Sequence, residues 1–300
     1  MFPMPIRSIV RMLVVVAVLT CAQAPLGAWS LEVHAFIMDR AIGLLPDPIR
    51  PFFEKNRTFL VEHTIDPDLW RNAGFEDEPP RHFVDMDAYG KFPFPDLPED
   101  RDRAIEKYGP DFVRRNGELP WRTSEMFGRL RRAFEAVPRG GYALSDVRSF
   151  SAWVAHYVGD AHQPFHAVLN HDGQLTGQDG VHSRFETELF ARFKDRLAIN
   201  PRPVTRITDA RAFAFQALRD SFSLADQALA ADLAAVGTRT EYDAAYFDEF
   251  FVAAKPIVER RLNESITAVA SIITAAWEQA GRPAVPLESP RSVQKVKKPR

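Results

Sequence analysis

Apolar residues recur at intervals of three and four along most of the chain, the spacing of an amphipathic α-helix. The clearest stripe consists of Val258, Leu262, Ile266, Val269, Ile273 and Trp277. Similar stripes predict helices over 35–45, 124–137, 145–169, 182–197 and 210–233. No segment alternates apolar and polar residues with a period of two between hairpin turns, so a sizeable sheet is not expected. The pattern predicts an all-α protein.

Proline and glycine occur where these helices should end, at 46–48, 79–80, 92–95, 138–141 and 201–203. None of these breaks is long enough to separate two domains, and the sequence contains no internal repeat. We therefore predict one multi-helix domain over 29–281. Residues 282–300 have few large apolar side chains and a basic end, which predicts a disordered basic tail. Phe92 and Phe94, which alternate with prolines, either line a lipid-facing opening or pack onto the core.

The first 28 residues have the order of an export signal. Arg7 and Arg11 precede an apolar run over 12–19, and small residues follow up to Ala28. The run is too short for a permanent membrane anchor. Cleavage after Ala28 would make a secreted or periplasmic protein that begins at Trp29. A lipoprotein signal with acylated Cys21 is the alternative, although the preceding Thr20 fits such a site poorly.

Charge and cysteine content narrow the class of protein. The 300 residues carry 38 Lys+Arg and 40 Asp+Glu, a net charge of −2, and a leader with two arginines and no acid leaves the rest more acidic. Such a chain lacks the basic surplus of a protein that coats duplex DNA, so a nucleic acid would be a substrate. Because the single cysteine lies in the leader, the mature chain depends on its core or on metals for stability.

Histidines and carboxylates are placed as metal ligands. His156 and Asp160 are four residues apart and so share one face of a helix, and His182 with Glu186 repeats the pair. His166 follows Pro164, where the helix should bend and turn this histidine toward the second pair. Imidazole and carboxylate without thiolate suit Zn²⁺.

The competing interpretation is that these histidines are packed core residues, as a lone histidine on an apolar helix usually is. Two such pairs joined by a third histidine are harder to explain in this way. Leaving five imidazoles and carboxylates buried without partners would cost several kcal/mol. A bound metal is the simpler partner.

These motifs resemble the zinc-dependent phospholipase C and S1/P1 nuclease superfamily. The central match is His156-x-x-x-Asp160-x-x-x-x-x-His166 with its Gly-Asp-x-x-Gln-Pro-x-His core, followed by His182-x-x-x-Glu186. Upstream, the segments that begin at His34 and His82 resemble the first helix and the third motif of the bacterial phospholipases, and Trp29 resembles the amino-terminal tryptophan of the family. The motifs span 29–186, a little over half of the chain.

The resemblance implies three zinc ions. One would be held by Asp68, His82, His156 and Asp160, a second by His166, His182 and Glu186, and a third by Trp29, His34 and Asp160. Asp160 would then bridge two ions. Either Asp66 or Asp68 could be the remaining ligand of the first ion, and Asp68 fits the family pattern better.

The implied activity is hydrolysis of a phosphoric diester, with Asp68 and Asp160 as candidate catalytic residues. A phospholipase C that releases diacylglycerol and a phosphorylated head group fits first, because the surroundings of His82 and His182 look like those of the phospholipases. Glu32 would meet a cationic head group, and contact with a membrane surface would be transient. An S1/P1-type single-strand nuclease and 3'-nucleotidase is the alternative, since the short gap from Trp29 to His34 resembles the nucleases. A non-catalytic zinc-binding protein is the third hypothesis. No stable protein partner is implied.

Overall fold

The computed structural model describes residues 31–140 and 142–288, and this part of the chain consists of helices and connecting turns without a β-strand. The α-helices are α1 Leu31–Ile42, α2 Arg50–Lys55, α3 Arg57–Glu62, α4 Asp66–Asn72, α5 Arg101–Tyr108, α6 Pro110–Arg115, α7 Leu119–Ala136, α8 Ala143–Ala161, α9 Val181–Ser183, α10 Leu189–Phe193, α11 Ala210–Val236 and α12 Ala244–Gln279. The all-α fold predicted from the periodicity is confirmed.

The longest helix, α12, forms the centre of the bundle and packs against α1, α7, α8 and α11. The periodicity predicted one buried stripe over 258–277, but every residue over 265–277 is buried. Neighbouring helices and the extended segment at 202–205, which bonds to Thr267 and Ser271, cover this half. An apolar helix that is covered on all sides does not need a polar face.

The helix predicted over 145–169 ends earlier than its apolar pattern, and α8 stops at Ala161. Proline disfavours the helical conformation of the residue before it, and Gln163, which precedes Pro164, is extended with φ −91° and ψ 121°. The chain continues as the 3₁₀ turn Pro164–Ala167. The prediction of the helix end was wrong, whereas the predicted break at Pro164 is present.

A buried arginine fixes the end of α8. Arg261 of α12 is 1% exposed and donates from Nε to the His162 carbonyl at 2.9 Å and from an Nη to Ser221 Oγ at 2.8 Å. Ser221 in turn donates to the Ala161 carbonyl at 2.7 Å. The last carbonyls of a helix have no partner within the helix, so these contacts satisfy them and tie α8 to α11 and α12.

Several predicted segments lie partly or wholly beyond the described residues. The predicted signal peptide 1–28 and Trp29 lie outside them, as does the part of the predicted tail 282–300 that follows residue 288. Both segments remain predictions. None of the described helices is long and apolar enough to cross a membrane.

Phe92 and Phe94 occupy different environments. Phe94 is 1% exposed and packs edge-on against Phe222 with ring centroids 4.7 Å apart, whereas Phe92 is 54% exposed. Of the two interpretations of this proline-rich segment, core packing holds for Phe94 and exposure for Phe92.

This difference predicts unequal effects on stability. Replacing Phe94 with alanine removes a buried ring and leaves a cavity, so we expect the free energy of unfolding to fall by about 3–5 kcal/mol. Phe92→Ala, the matched control, should change it by less than about 1 kcal/mol. Urea denaturation of both variants measures the difference, and equal losses would contradict the assignment of Phe94 to the core.

Candidate metal centre

Imidazole and carboxylate side chains converge in three groups, each compact enough to surround one ion. Within a group the candidate ligand atoms all lie within 4.8 Å of one another. The groups are His34 with His156 and Asp160, Asp68 with His82 and His156, and His166 with His182 and Glu186. The residues come from α1, α4, α8 and α9 and from three turns, so the tertiary fold, and not one local motif, builds this site.

The distances around His82 match the coordination shell of zinc. His82 Nδ1 lies 3.0 Å from His156 Nε2, 3.2 Å from Asp160 Oδ2 and 3.6 Å from Asp68 Oδ1. A tetrahedral zinc with bonds of about 2.0–2.1 Å separates its ligand atoms by about 3.3 Å. The four atoms therefore have the spacing of ligands that share one ion.

Asp160 contributes its two oxygens to different neighbours. Oδ2 faces His82 and lies 3.2 Å from His156 Nε2, whereas Oδ1 lies 3.3 Å from His34 Nε2. Burial of this carboxylate opposes its ionisation, but the charge of His156 and its hydrogen bond to Oδ2 hold the pKa of Asp160 well below its usual range. An ionised carboxylate with its oxygens in two groups has the geometry of a bridging ligand.

The group around Glu186 presents nitrogens whose tautomers are set by the backbone. His166 Nδ1 donates to the His82 carbonyl at 2.6 Å, and His182 Nδ1 donates to the His171 carbonyl at 3.0 Å. Their Nε2 atoms, left with lone pairs, lie 3.2 Å apart. His182 Nε2 is 3.0 Å from Glu186 Oε2. Burial lowers the pKa of His166 to about 3, so its ring is neutral and able to bind a cation.

Buried oxygens in these groups need a cation. Among the described residues, Asp68 Oδ1, Asp160 Oδ1 and Glu186 Oε1 are fully buried and accept no hydrogen bond. Two inward-facing carboxylates, Asp160 and Glu186, are buried among imidazoles at 0% and 3% exposure. Leaving such atoms unsatisfied is costly, and a divalent ion with these nitrogen and oxygen ligands satisfies them. The residues present therefore fit zinc.

The connection after α8 places the second group. The side-chain oxygen of Gln163 accepts a hydrogen bond from the Phe165 amide and caps the 3₁₀ turn that carries His166. The amide nitrogen of Gln163 donates to Glu186 Oε2 at 2.8 Å. Gln163 thus aligns residues from both sides of the group, a role that sequence analysis did not assign to it.

A π-helical turn over Arg184–Glu188 separates α9 from α10 and carries Glu186. Inside this turn, buried Arg184 pairs with buried Asp232 of α11 at 3.0 Å. Asp232 also accepts from Gln178 at 2.7 Å, which ties down the loop before His182. A π-turn displaces side chains from regular helical spacing and is frequent at functional sites.

The structure distinguishes the two candidate aspartates near residue 67. Asp68 lies in the group with His82 and His156. Asp66 accepts from Trp153 Nε1 at 2.9 Å and lies 3.0 Å from His63 Nδ1, away from the three groups. The geometry therefore brings Asp68, and not Asp66, to the candidate metal centre.

One other predicted site residue, Glu32, is not brought to the groups. Glu32 is exposed and forms an ion pair with Lys194 at 3.0 Å, so its contact with a head group stays an untested prediction. Trp29 lies outside the described residues. The remaining histidines of the described chain are not in the three groups, but the His171 carbonyl orients His182.

Gly159 was part of the motif, but sequence analysis gave it no role. A β-carbon at this position would lie 2.9 Å from His34 Nδ1 and 3.0 Å from His34 Cε1, closer than atoms in contact can approach. The His34 ring also stacks on the His156 ring at 4.1 Å. Any larger residue at 159 would therefore have to displace the His34 ring that lies against Asp160.

A cavity of about 340 Å³ reaches two of the three groups. His82 of one group and His166 and His182 of another line it, together with Phe83, Phe165 and Arg71. The ligand side chains therefore meet a largely apolar space that also contains the Arg71 guanidinium and the Asp172 carboxylate.

Comparison with known proteins places the fold. No protein-family model matches the sequence, and no curated protein matches it significantly. The alpha-toxin of an avian strain of Clostridium perfringens has a similar structure, with a TM-score of 0.51 and 17% identity over 85% of this chain and 66% of the toxin. The alpha-toxin of Clostridium absonum gives a TM-score of 0.47 and 15% identity, over 83% of this chain and 65% of that chain. This chain thus spans just under two thirds of the toxins' length. The all-helical fold implied by the resemblance to the phospholipase C and P1 nuclease superfamily is confirmed.

The close approach at Gly159 predicts a specific loss of metal. In Gly159→Ala the added methyl group displaces His34 from Asp160, so we expect the protein to bind one zinc fewer per chain, as measured by elemental analysis after dialysis. Gly128→Ala in the interior of α7 is the matched control, because its β-carbon meets only Arg132 at 3.4 Å. It should keep the full zinc content and be slightly more stable, by about 0.5–1 kcal/mol. Unchanged zinc content in Gly159→Ala would contradict the role given to His34.

Proposed function

We propose that this protein is a zinc-dependent phosphoric diester hydrolase, and that its substrates are phospholipids, which it cleaves as a phospholipase C to diacylglycerol and a phosphorylated head group. The observation that carries this proposal is the shared cavity, because histidines of two metal groups line one space with phenylalanine walls. A bound phospholipid would place its phosphate at the histidines and its apolar chains against the phenylalanines, which matches the division of this cavity into a polar and an apolar part.

The proposal assigns three zinc ions to the groups. Asp68, His82, His156 and Asp160 hold one, and His166, His182 and Glu186 hold another. His34 and Asp160 hold the third together with Trp29, which would supply its free amino group after the signal peptide is removed. The division of the Asp160 oxygens between His82 and His34 supports the bridge between two of the ions.

Bound zinc ions lower the pKa of coordinated water and neutralise the charge of a phosphate ester. The protein side chains position the water and the substrate. Asp68, whose Oδ1 is 3.6 Å from His82 Nδ1, offers a carboxylate that can orient an attacking water and accept its proton. Arg71 lines the cavity, and its guanidinium lies 3.7 Å from Asp68 Oδ1, where it can donate to a phosphate oxygen. The apolar walls exclude bulk water and so strengthen these interactions.

One observation also favours a second candidate function, that of a nuclease. Phe83 lines the cavity and is only partly buried, and aromatic faces also stack on nucleobases. A single-strand nuclease with 3'-nucleotidase activity would use the same metal groups. A zinc-storage protein is less well supported, because His82, His166 and His182 line an accessible cavity and do not form a closed shell.

We also propose that the protein is exported. A leader over 1–28 predicts a secreted or periplasmic enzyme, which would meet phospholipid at a membrane surface only transiently.

Two substrates test the proposed activity on one preparation of the mature protein. We expect rapid release of phosphocholine from phosphatidylcholine and slow breakdown of single-stranded DNA. Asp68→Asn should lose activity by about 100-fold or more, since it removes the negative charge of a ligand and the proposed proton acceptor. Asp66→Asn, two residues away and outside the groups, is the matched control and should retain most of it. Fast DNA hydrolysis without lipid turnover would make the nuclease the correct assignment.

A further inference from the structure

A buried carboxylate lies behind the candidate ligand His82. Glu78 is 2% exposed and precedes the 3₁₀ turn Pro79–His82, one turn before His82. Its Oε1 accepts a hydrogen bond from the Tyr157 hydroxyl and lies 3.9 Å from His82 Nε2. None of the three groups includes Glu78.

The two ring nitrogens of His82 face opposite environments. Nδ1 lies among Asp68, His156 and Asp160. Nε2 is fully buried and makes no hydrogen bond within the described chain. When the lone pair of Nδ1 is on a metal, the ring proton must be on Nε2, and a buried N–H needs an acceptor.

In the other two cavity histidines, a backbone carbonyl accepts the hydrogen bond from the second ring nitrogen. His166 donates its second nitrogen to the His82 carbonyl, and His182 donates to the His171 carbonyl. At His82 Nε2 the acceptor that the structure supplies is the Glu78 carboxylate. A carboxylate behind a ligand histidine makes the imidazole a stronger donor to the metal and fixes its tautomer.

Glu78 is itself held in place on its other side. Its Oε2 accepts from Arg81 at 2.8 Å and lies 3.5 Å from the Arg122 guanidinium. Tyr157, which donates to Oε1, follows the ligand His156 in α8. Because Oε2 contacts the two arginines, Oε1 remains directed toward Tyr157 and His82.

We propose that Glu78 is the positioning residue of the His82 zinc site and accepts the His82 Nε2–H when the metal is bound. Closing the present 3.9 Å needs a shift of about 1 Å to reach hydrogen-bond distance. The inference rests on the proposed function only in so far as that function requires metal at this site.

Zinc affinity is the first test. We expect Glu78→Gln to weaken one zinc site by about 10–100-fold, measured by competition with a chelator on the metal-loaded full-length mature protein. Arg81→Met is the matched control. It removes one ion pair to Oε2, but Arg122 near Oε2 and the Tyr157 hydroxyl at Oε1 still hold the carboxylate with Oε1 facing His82, so its zinc affinity should stay within a few-fold of wild type. Equal losses in the two variants would mean that Glu78 acts only through the stability of the network and would overturn the proposal.

The position and the exchange rate of the His82 ring proton are the second test, because a purely structural role of Glu78 would not change them. In ¹⁵N-labelled zinc-loaded protein, the His82 imidazole should be protonated at Nε2, and this proton should exchange faster with water in Glu78→Gln. The Nδ1 protons of His166 and His182 serve as internal references and should not change. If the glutamine variant does not fold, Glu78→Asp, which keeps the charge but shortens the reach, should show the same faster exchange.

The outcomes separate this inference from the proposed function. A wild-type protein that binds zinc, with Glu78→Gln unchanged in affinity and in proton exchange, overturns the role of Glu78 alone. A wild-type protein that binds no zinc overturns the metal centre, and with it both proposals. Zinc binding that depends on Glu78 without any phosphodiesterase activity overturns only the function.

Discussion

One buried carboxylate organises the site. Asp160 is completely buried, its two oxygens face different groups of imidazoles, and its charge is retained by those neighbours. A buried charge is tolerated only with close partners, so every helix that supplies one is constrained by this residue. The positions of His34 on α1 and His156 on α8 follow from that requirement, and the proposed zinc ions would supply further positive charge beside this carboxylate.

The packing around α8 also keeps the partners of Asp160 close to it. Gly159 lets α1 approach, Pro164 ends the helix so that His166 can turn toward His182, and Arg261 holds the carbonyls at the end of the helix. Each of these residues is adjacent or close to Asp160 in sequence or in space. The apolar core then fixes their relative positions, since close-packed interiors permit little displacement.

Local spacing made part of this site predictable. His156 and Asp160 are four residues apart on α8, and a helix fixes such a pair without any tertiary information. His182 and Glu186 have the same spacing but span α9 and the π-turn, and their side chains still meet at 3.0 Å. Glu78 could not be recognised in this way, because its contact with Tyr157 joins residues 79 positions apart. The end of α8 was predicted too late because its apolar pattern continues past Pro164, where backbone geometry, and not hydrophobicity, stops the helix.

The central claim is that Asp160 joins two metal ions, and the zinc content of two ligand variants tests it most directly. Elemental analysis of Asp160→Asn should find at least two zinc ions fewer per chain than in wild type, because both bridged sites lose a charged ligand. Glu186→Gln, which alters a single site, should lose no more than one. An Asp160→Asn protein that folds and retains its full zinc content would contradict the account.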